Sequence, residues 1–415
     1  MIGRYTPDWL RRAPLPGARS FAILAGLDAT ARAVLSSVWP LVMYQALGSA
    51  QTVSAVYLAA GVASLIFGTM VPWVGQKIPR RWLYTIGAGF YFLGPALAII
   101  GGPVLAPLGM VLNWFGTVTC FIAMSAYLMD YIAREDLGRT ETLKLFYSAL
   151  PWAVGPVLGV VLWKVWAPLP FLATMGAAGA MLVAFWAMRM GNGRVILRAS
   201  GAAPNPVAYI GRFMRQPRLV AGWLFAVVRS VGWWVYVVYL PIFAIESGLG
   251  DRIASWAYSL SNAMLFLSPF ILRWLQKRSL RTGVRIAFAF GAGLFLLAGL
   301  ADAWPPLAVV AMVAASLFLV MLDVYGGLPF LISVRPAERT EMSAVYASFR
   351  DVSSVVTPGL AWLVLLVAPV TGIFAVTGLI FALTFVISGR LHPRLGRPKP
   401  GAGPTGRAGL SDGAA

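Results

Sequence analysis

Six ionisable side chains lie inside long apolar stretches of this 415-residue chain: Asp28, Arg32, Arg229, Asp323, Arg350 and Asp351. A charge at the middle of a bilayer costs about 3 kcal/mol or more, so such groups must face water or one another. Three acids and three arginines can pair to zero net charge. Asp28 and Arg32 are four residues apart on one helix face and can meet without any tertiary contact. A bridge from Asp28 to Arg229 is the alternative. An aspartate whose partner differs between two states can take up a proton in one and release it in the other, and Asp28 and Asp323 are the candidates for that role. An arginine fork can equally hold an organic anion. Other chemistry is scarce. The single His392 sits in a polar tail and the single Cys120 in an apolar run, which excludes an intrachain disulfide, a His/Cys metal site and a Cys/His dyad. No Gly-x-x-x-x-Gly-Lys-Ser/Thr signature appears, so neither ATP-driven work nor a metal or other cofactor is expected.

The elements that position these residues follow from composition. Hydrophobic residues make up 59% of the chain and charged residues 11%, against about 25% charged in soluble domains, which excludes an ordinary soluble enzyme. Stretches of about 20 apolar residues, enough to cross a bilayer as helix, recur twelve times: near 20–44, 52–74, 82–101, 104–129, 143–163, 168–188, 219–244, 253–272, 284–301, 305–333, 343–367 and 369–389. An all-α polytopic membrane protein is the expected fold class. The first stretch follows Arg11, Arg12 and Arg19 like a signal peptide, but Asp28 and Arg32 within it and eleven later spans favour a retained helix.

The 33 Lys and Arg residues against 14 Asp and Glu give a net charge of +19. Their placement explains the excess. The N-terminus, the even-numbered connections and the tail hold 28 of them, the odd-numbered connections hold only Lys164 and Arg252, and Arg32, Arg229 and Arg350 lie inside spans. Basic residues stay on the cytoplasmic side, so both termini are expected there, in a bacterial inner membrane, with no nucleic-acid partner implied. Attraction to anionic lipid heads is a secondary effect of the same charge.

The chain repeats itself. Gln76-Lys77 matches Gln276-Lys277, Arg81 matches Arg281, Arg139-Thr140-Glu141 matches Arg339-Thr340-Glu341, and Ser148 matches Ser348, all displaced by 200 residues. Aligning Pro40 with Pro241 places Arg229 opposite Asp28. The expected organisation is a cytoplasmic N-terminus (1–19), a six-helix bundle (20–190), a basic linker (191–218), a second six-helix bundle (219–390) and a disordered tail (391–415) with four Pro and six Gly. Val207–Met214 in the linker reads as a short interfacial helix.

Over 20–390 the sequence resembles the major facilitator superfamily. After span 2 that family carries Gly-x-x-x-Asp-x-x-Gly and basic residues; here stand Gly68, Gly75, Lys77, Arg80 and Arg81, with Pro72 at the Asp position. Gly155-Pro156-Val157-Leu158-Gly159 in span 5 looks like the motif of the exporting antiporter branches, and Thr357-Pro358-Gly359 in span 11 is a weaker echo. The stretch from Pro336 through Glu338-Arg339 is similar to the family's tenth connection. Asn113 stands nearest the place where many proton-coupled drug antiporters have an Arg in span 4. The resemblance implies two pseudo-symmetric bundles and a central cavity lined by spans 1, 4, 7 and 10, which four of the six charges would face.

Each motif also has a physical reading. Gly68 and Gly75 allow close packing and a tight turn, while Lys77 and Arg81 can bond helix-end carbonyls or Asp130 across the cytoplasmic face; plain charge anchoring is the competing reading. Gly155, Pro156 and Gly159 bend span 5 and let a neighbour approach, a structural role before a substrate contact. Trp114, Trp233 and Tyr236 offer aromatic walls suited to amphipathic molecules, although Trp is also common at membrane interfaces. The expected function is secondary transport by alternating access in a monomer, with proton-coupled efflux of a small organic or amphipathic molecule. Uptake of a sugar or organic anion is the alternative, and a polytopic membrane enzyme or a channel is more remote.

Overall fold

A computed structural model describes residues 17–132, 137–188, 206–267, 278–325 and 345–390, and positions 270, 271, 273, 274, 330 and 342 besides. The expectations for 1–16, 189–205 and 391–415, for the tenth connection, and for the side chains of Pro72, Arg80 and Asp130 lie outside what it describes. Twelve helical segments stand where the twelve apolar stretches predict them. They are α1 Ala18–Leu47, α2 Ala50–Lys77, α3 Arg80–Ile100, α4 Gly102–Tyr131, α5 Leu137–Val165 and α6 Leu169–Ala187, then α7 Pro217–Glu246, α8 Asp251–Ala263, α9 Leu280–Leu300, α10 Pro305–Tyr325, α11 Phe349–Val364 and α12 Val370–Ser388. Among the described residues ten are long and apolar enough to cross a membrane unaided; α8 and α11 fall short because only 13 and 16 residues of each are continuous helix. The linker forms a short helix at Pro206–Met214, with Phe213 packed against Phe330.

Proline chemistry breaks α1 and α7 at matching places. Pro40 has no N–H for the Ser36 carbonyl and its ring crowds that oxygen, so α1 turns at Ser37. Pro241, 201 residues on, does the same to the Val237 carbonyl, and α7 widens into a π turn over Val235–Tyr239. Past these breaks both helices end in a left-handed glycine, Gly48 at φ 75° and Gly248 at φ 76°, a conformation a Cβ would strain. The repeat read from the sequence is thus also a repeat of backbone geometry.

Packing divides the molecule by face. The first six helices pack as α1 against α5 and α6 and α3 against α4 and α6; the last six as α9 against α10 and α12 and α7 against α11. The largest seams between the sets are α2 with α11 and α5 with α8. On the face with few basic residues one apolar core runs through both sets, joining Val38, Trp39 and Tyr57 to Tyr239, Ile242 and Phe243. On the basic face the cores are separate among the described residues. Phe21, Tyr84, Tyr127 and Phe185 belong to the first six helices alone, and Leu219, Phe330 and Val345 to the last six alone.

Candidate functional site

Two charge clusters sit at matching levels of α1 and α7. In the first, Arg32 Nε donates to Asp28 Oδ2 at 2.9 Å and Nη2 lies 2.7 Å from the same oxygen. The Tyr91 hydroxyl of α3 donates to Asp28 Oδ1 at 2.9 Å and lies 3.0 Å from Thr117 Oγ1 of α4. The Arg32 guanidinium rests 5.4 Å over the Trp152 ring of α5. Both carboxylate oxygens are therefore engaged, which is how a charge persists in an apolar span.

In the second cluster Arg229 Nε lies 3.2 Å from Asp323 Oδ1 of α10, close enough for strong attraction although its hydrogen is not aimed at the oxygen. Trp233, one turn along α7, donates Nε1–H to Asp323 Oδ2 at 3.0 Å. The Arg229 guanidinium stacks 5.1 Å over Phe349 of α11, and Ser353 and Ser230 hydroxyls 2.8 Å apart tie α11 to α7 beside it. The expected alternative bridge from Asp28 to Arg229 is not made: each residue has its partner within its own six helices. A bridge between them would leave Arg32 and Asp323 without their partners, a costly exchange for half-buried charges.

Arg350 and Asp351 stand apart from the paired clusters. The Arg350 guanidinium lies 5.1 Å over Phe121 of α4 and 5.6 Å over Phe349, so Phe349 has two arginines near its ring. Asp351 is exposed at the start of α11.

The aromatic candidates are placed unevenly. Trp114 packs edge-on against Tyr57 and against Trp234 of α7, bridging the two sets of helices. Tyr236 is fully buried, its hydroxyl donating to the Met312 carbonyl of α10. Asn113 is buried where α4 crosses Gly94 of α3; its backbone carbonyl accepts from the Thr117 hydroxyl, and its side-chain Oδ1 has no hydrogen-bond partner among the described residues.

The motif glycines are packing devices. A Cβ on Gly155 would come 2.6 Å from Ala33 Cβ, and one on Gly159 would come 1.9 Å from the Val34 carbonyl oxygen, so only glycine lets α5 lie this close to α1, at the two residues that follow Arg32. Pro156 sits buried between them, and the next residue, Val157, donates its N–H to Ser259 of α8 at 3.2 Å. Gly68 and Gly75 are less crowded, with Val118 and Leu83 side chains 3.3 and 3.2 Å from a built Cβ. Lys77 is exposed at the end of α2, and the Arg81 ε-nitrogen is buried without a hydrogen-bond partner among the described residues.

Sequence reasoning missed Tyr91, Thr117, Trp152 and Phe349. For the first three the available signal was a hydroxyl or indole inside an apolar span, which must find a polar partner when buried; Phe349 offered no such signal. It also missed four ties across the sparsely charged face: Tyr44 donating to Glu246 at 3.1 Å, Lys164 paired with Asp251 at 2.5 Å, Tyr239 donating to Ser54 at 3.1 Å, and Trp114 against Trp234 at 5.5 Å.

A profile of the Major Facilitator Superfamily matches residues 21–358. The chain belongs to that family. It is a multi-pass membrane transporter and not an enzyme. Its structure is similar to that of a POT family transporter in complex with a thioalcohol-conjugated peptide, at TM-score 0.76 and 11% identity over 92% of this chain and 97% of that one. It is also similar to a D-xylose-proton symporter, at 0.71 and 13% over 91% and 97%, and to the nucleoside transporter NupG, at 0.65 and 14% over 90% and 99%. No curated protein matches the chain in sequence. Structural likeness at identities this low shows the fold alone and leaves the substrate to the site itself.

Proposed function

We propose that this protein is a secondary active transporter that works by alternating access and exports a small organic or amphipathic molecule in exchange for protons. The observation that carries the reading is the division of the core among the described residues: one shared core on the sparsely charged face, separate cores for the two sets of helices on the basic face. Two bodies joined at one end and independent at the other can rock about a site between them. The Tyr44–Glu246 and Lys164–Asp251 contacts would break in the opposite state.

Proton coupling falls most naturally to Asp323. Its arginine comes from a different helix, so protonating Asp323 removes the charge that holds α10 to α7, and moving those helices removes the arginine from the acid. Asp28 has its arginine on its own helix, and that pair travels as a unit. Export is supported by Gly155, Pro156 and Gly159, which resemble the motif of the exporting branches and set α5 against α1 beside Arg32. In this reading one chain contains a complete pathway and acts as a monomer, with both termini in the cytoplasm of a bacterial plasma membrane.

The test is transport in proteoliposomes with an imposed pH difference, across lipophilic cations, organic anions and sugars. Substrate movement opposite to the proton gradient supports export. Movement with the gradient supports uptake instead, and movement indifferent to it removes the coupling. Folded protein that moves no member of the panel would count against the reading as a whole.

A further inference from the structure

The start of α9 carries two arginines that the charge clusters do not use. Arg281 and Arg285, with Thr282, Ile286, Phe290 and Phe385, line a cleft of about 530 Å³ between α9 and α12. Among the described residues the ε-nitrogens of both arginines are buried and have no hydrogen-bond partner, and no carboxylate lines the cleft. The Arg285 guanidinium is fixed 4.7 Å over the Phe385 ring. Farther from the basic face the same two helices expose Phe290, Leu297, Leu379 and Leu383. Two guanidinium groups without an acidic partner among the described residues therefore stand at the basic end of an apolar strip.

The first six helices do not repeat this arrangement. Arg81 corresponds to Arg281, but Thr85 occupies the place of Arg285 and its hydroxyl is spent on the Arg81 carbonyl at 2.8 Å. Charge anchoring alone would need no such pairing over a cleft on one side of the molecule.

We propose that the cleft binds the headgroup phosphate of an anionic phospholipid, with phosphate oxygens between Arg281 and Arg285 and an acyl chain along Phe290 and Leu383. Guanidinium forks match phosphate oxygens in pairs, and two arginines beside an apolar surface suit a lipid better than a soluble ion.

The test is native mass spectrometry of the full chain from nanodiscs of phosphatidylglycerol or phosphatidylcholine. Wild type should retain phosphatidylglycerol selectively, and the double variant Arg281→Gln, Arg285→Gln should lose about tenfold or more of that retention. The double variant Arg281→Lys, Arg285→Lys, which keeps the charge, should lose less. Arg19→Gln, an exposed basic residue on the other six helices, should lose nothing. Equal retention in wild type and the glutamine variant overturns the proposal. Competition by millimolar inorganic phosphate as effective as that by lipid overturns it too, since the site would then serve a free anion. On the unmodified protein a photoactivatable phosphatidylglycerol should label α9 and α12, and labelling spread evenly over all helices would contradict the assignment.

Discussion

The two charge clusters occupy equivalent places in the repeat and are built in opposite ways. Asp28 and Arg32 are neighbours on α1, with Tyr91 as the tie to another helix, whereas Arg229 and Asp323 reach each other across α7 and α10, with Trp233 as the second donor. Position 28 holds the acid and position 229 the base, and the place of Arg32 is taken by Trp233. In each cluster the arginine rests on an aromatic ring of α5 or α11, the repeat-related helices. Duplication kept the geometry and inverted the charge. A pair on one helix survives any movement of that helix, while a pair across two helices reports their separation.

The inversion predicts unequal mutants. Removing Arg229 strands Asp323, and breaking a buried pair by deleting one partner costs about 3–5 kcal/mol. The Arg229 side chain is 14% exposed and that of Arg32 33%, while the acids left behind are 30% exposed at Asp323 and 19% at Asp28. The difference therefore rests on α10 losing its tie to α7: Arg229→Ala should lower unfolding stability in detergent by about 3 kcal/mol and Arg32→Ala by about 2 kcal/mol. Adding Asp323→Asn to Arg229→Ala should recover most of the loss. Equal costs for the two arginines would break the comparison.

A smaller effect separates repeat-related glycines. Gly159→Ala drives a Cβ into the Val34 carbonyl, whereas Gly359→Ala meets only Leu58 at 3.4 Å. The first should cost about 3 kcal/mol and the second under about 1 kcal/mol, read in the same unfolding assay. Tyr91→Phe, which removes one donor to Asp28, should cost about 1.5 kcal/mol. The smallest change concerns the tie between the halves. Lys164→Gln weakens a partly exposed pair by about 1 kcal/mol or less, a few-fold shift in population, visible as a longer component in spin-label distances between α5 and α8 on that face.

The sequence made the spans legible because apolar length is a local property. It also exposed the six interior charges and the displacement by 200 residues. Partner choice was not legible: Asp28 and Arg32 were readable from their spacing, but Arg229 with Asp323 depends on how α7 meets α10. Tyr91 and Phe349 carry no charge and look like the rest of an apolar helix until a carboxylate or guanidinium is found beside them. Lys164 was visible only as a basic residue out of place, and its reason, Asp251, lies across a seam between repeats.

The most direct test is substrate-driven proton movement in proteoliposomes, comparing wild type, Asp323→Asn and Asp28→Asn with a substrate identified from the panel. Coupling through a pair that crosses helices predicts that Asp323→Asn abolishes proton flux while substrate still exchanges, and that Asp28→Asn retains a proton flux tied to substrate. Undiminished proton flux in folded Asp323→Asn, or its loss in Asp28→Asn alone, would contradict it.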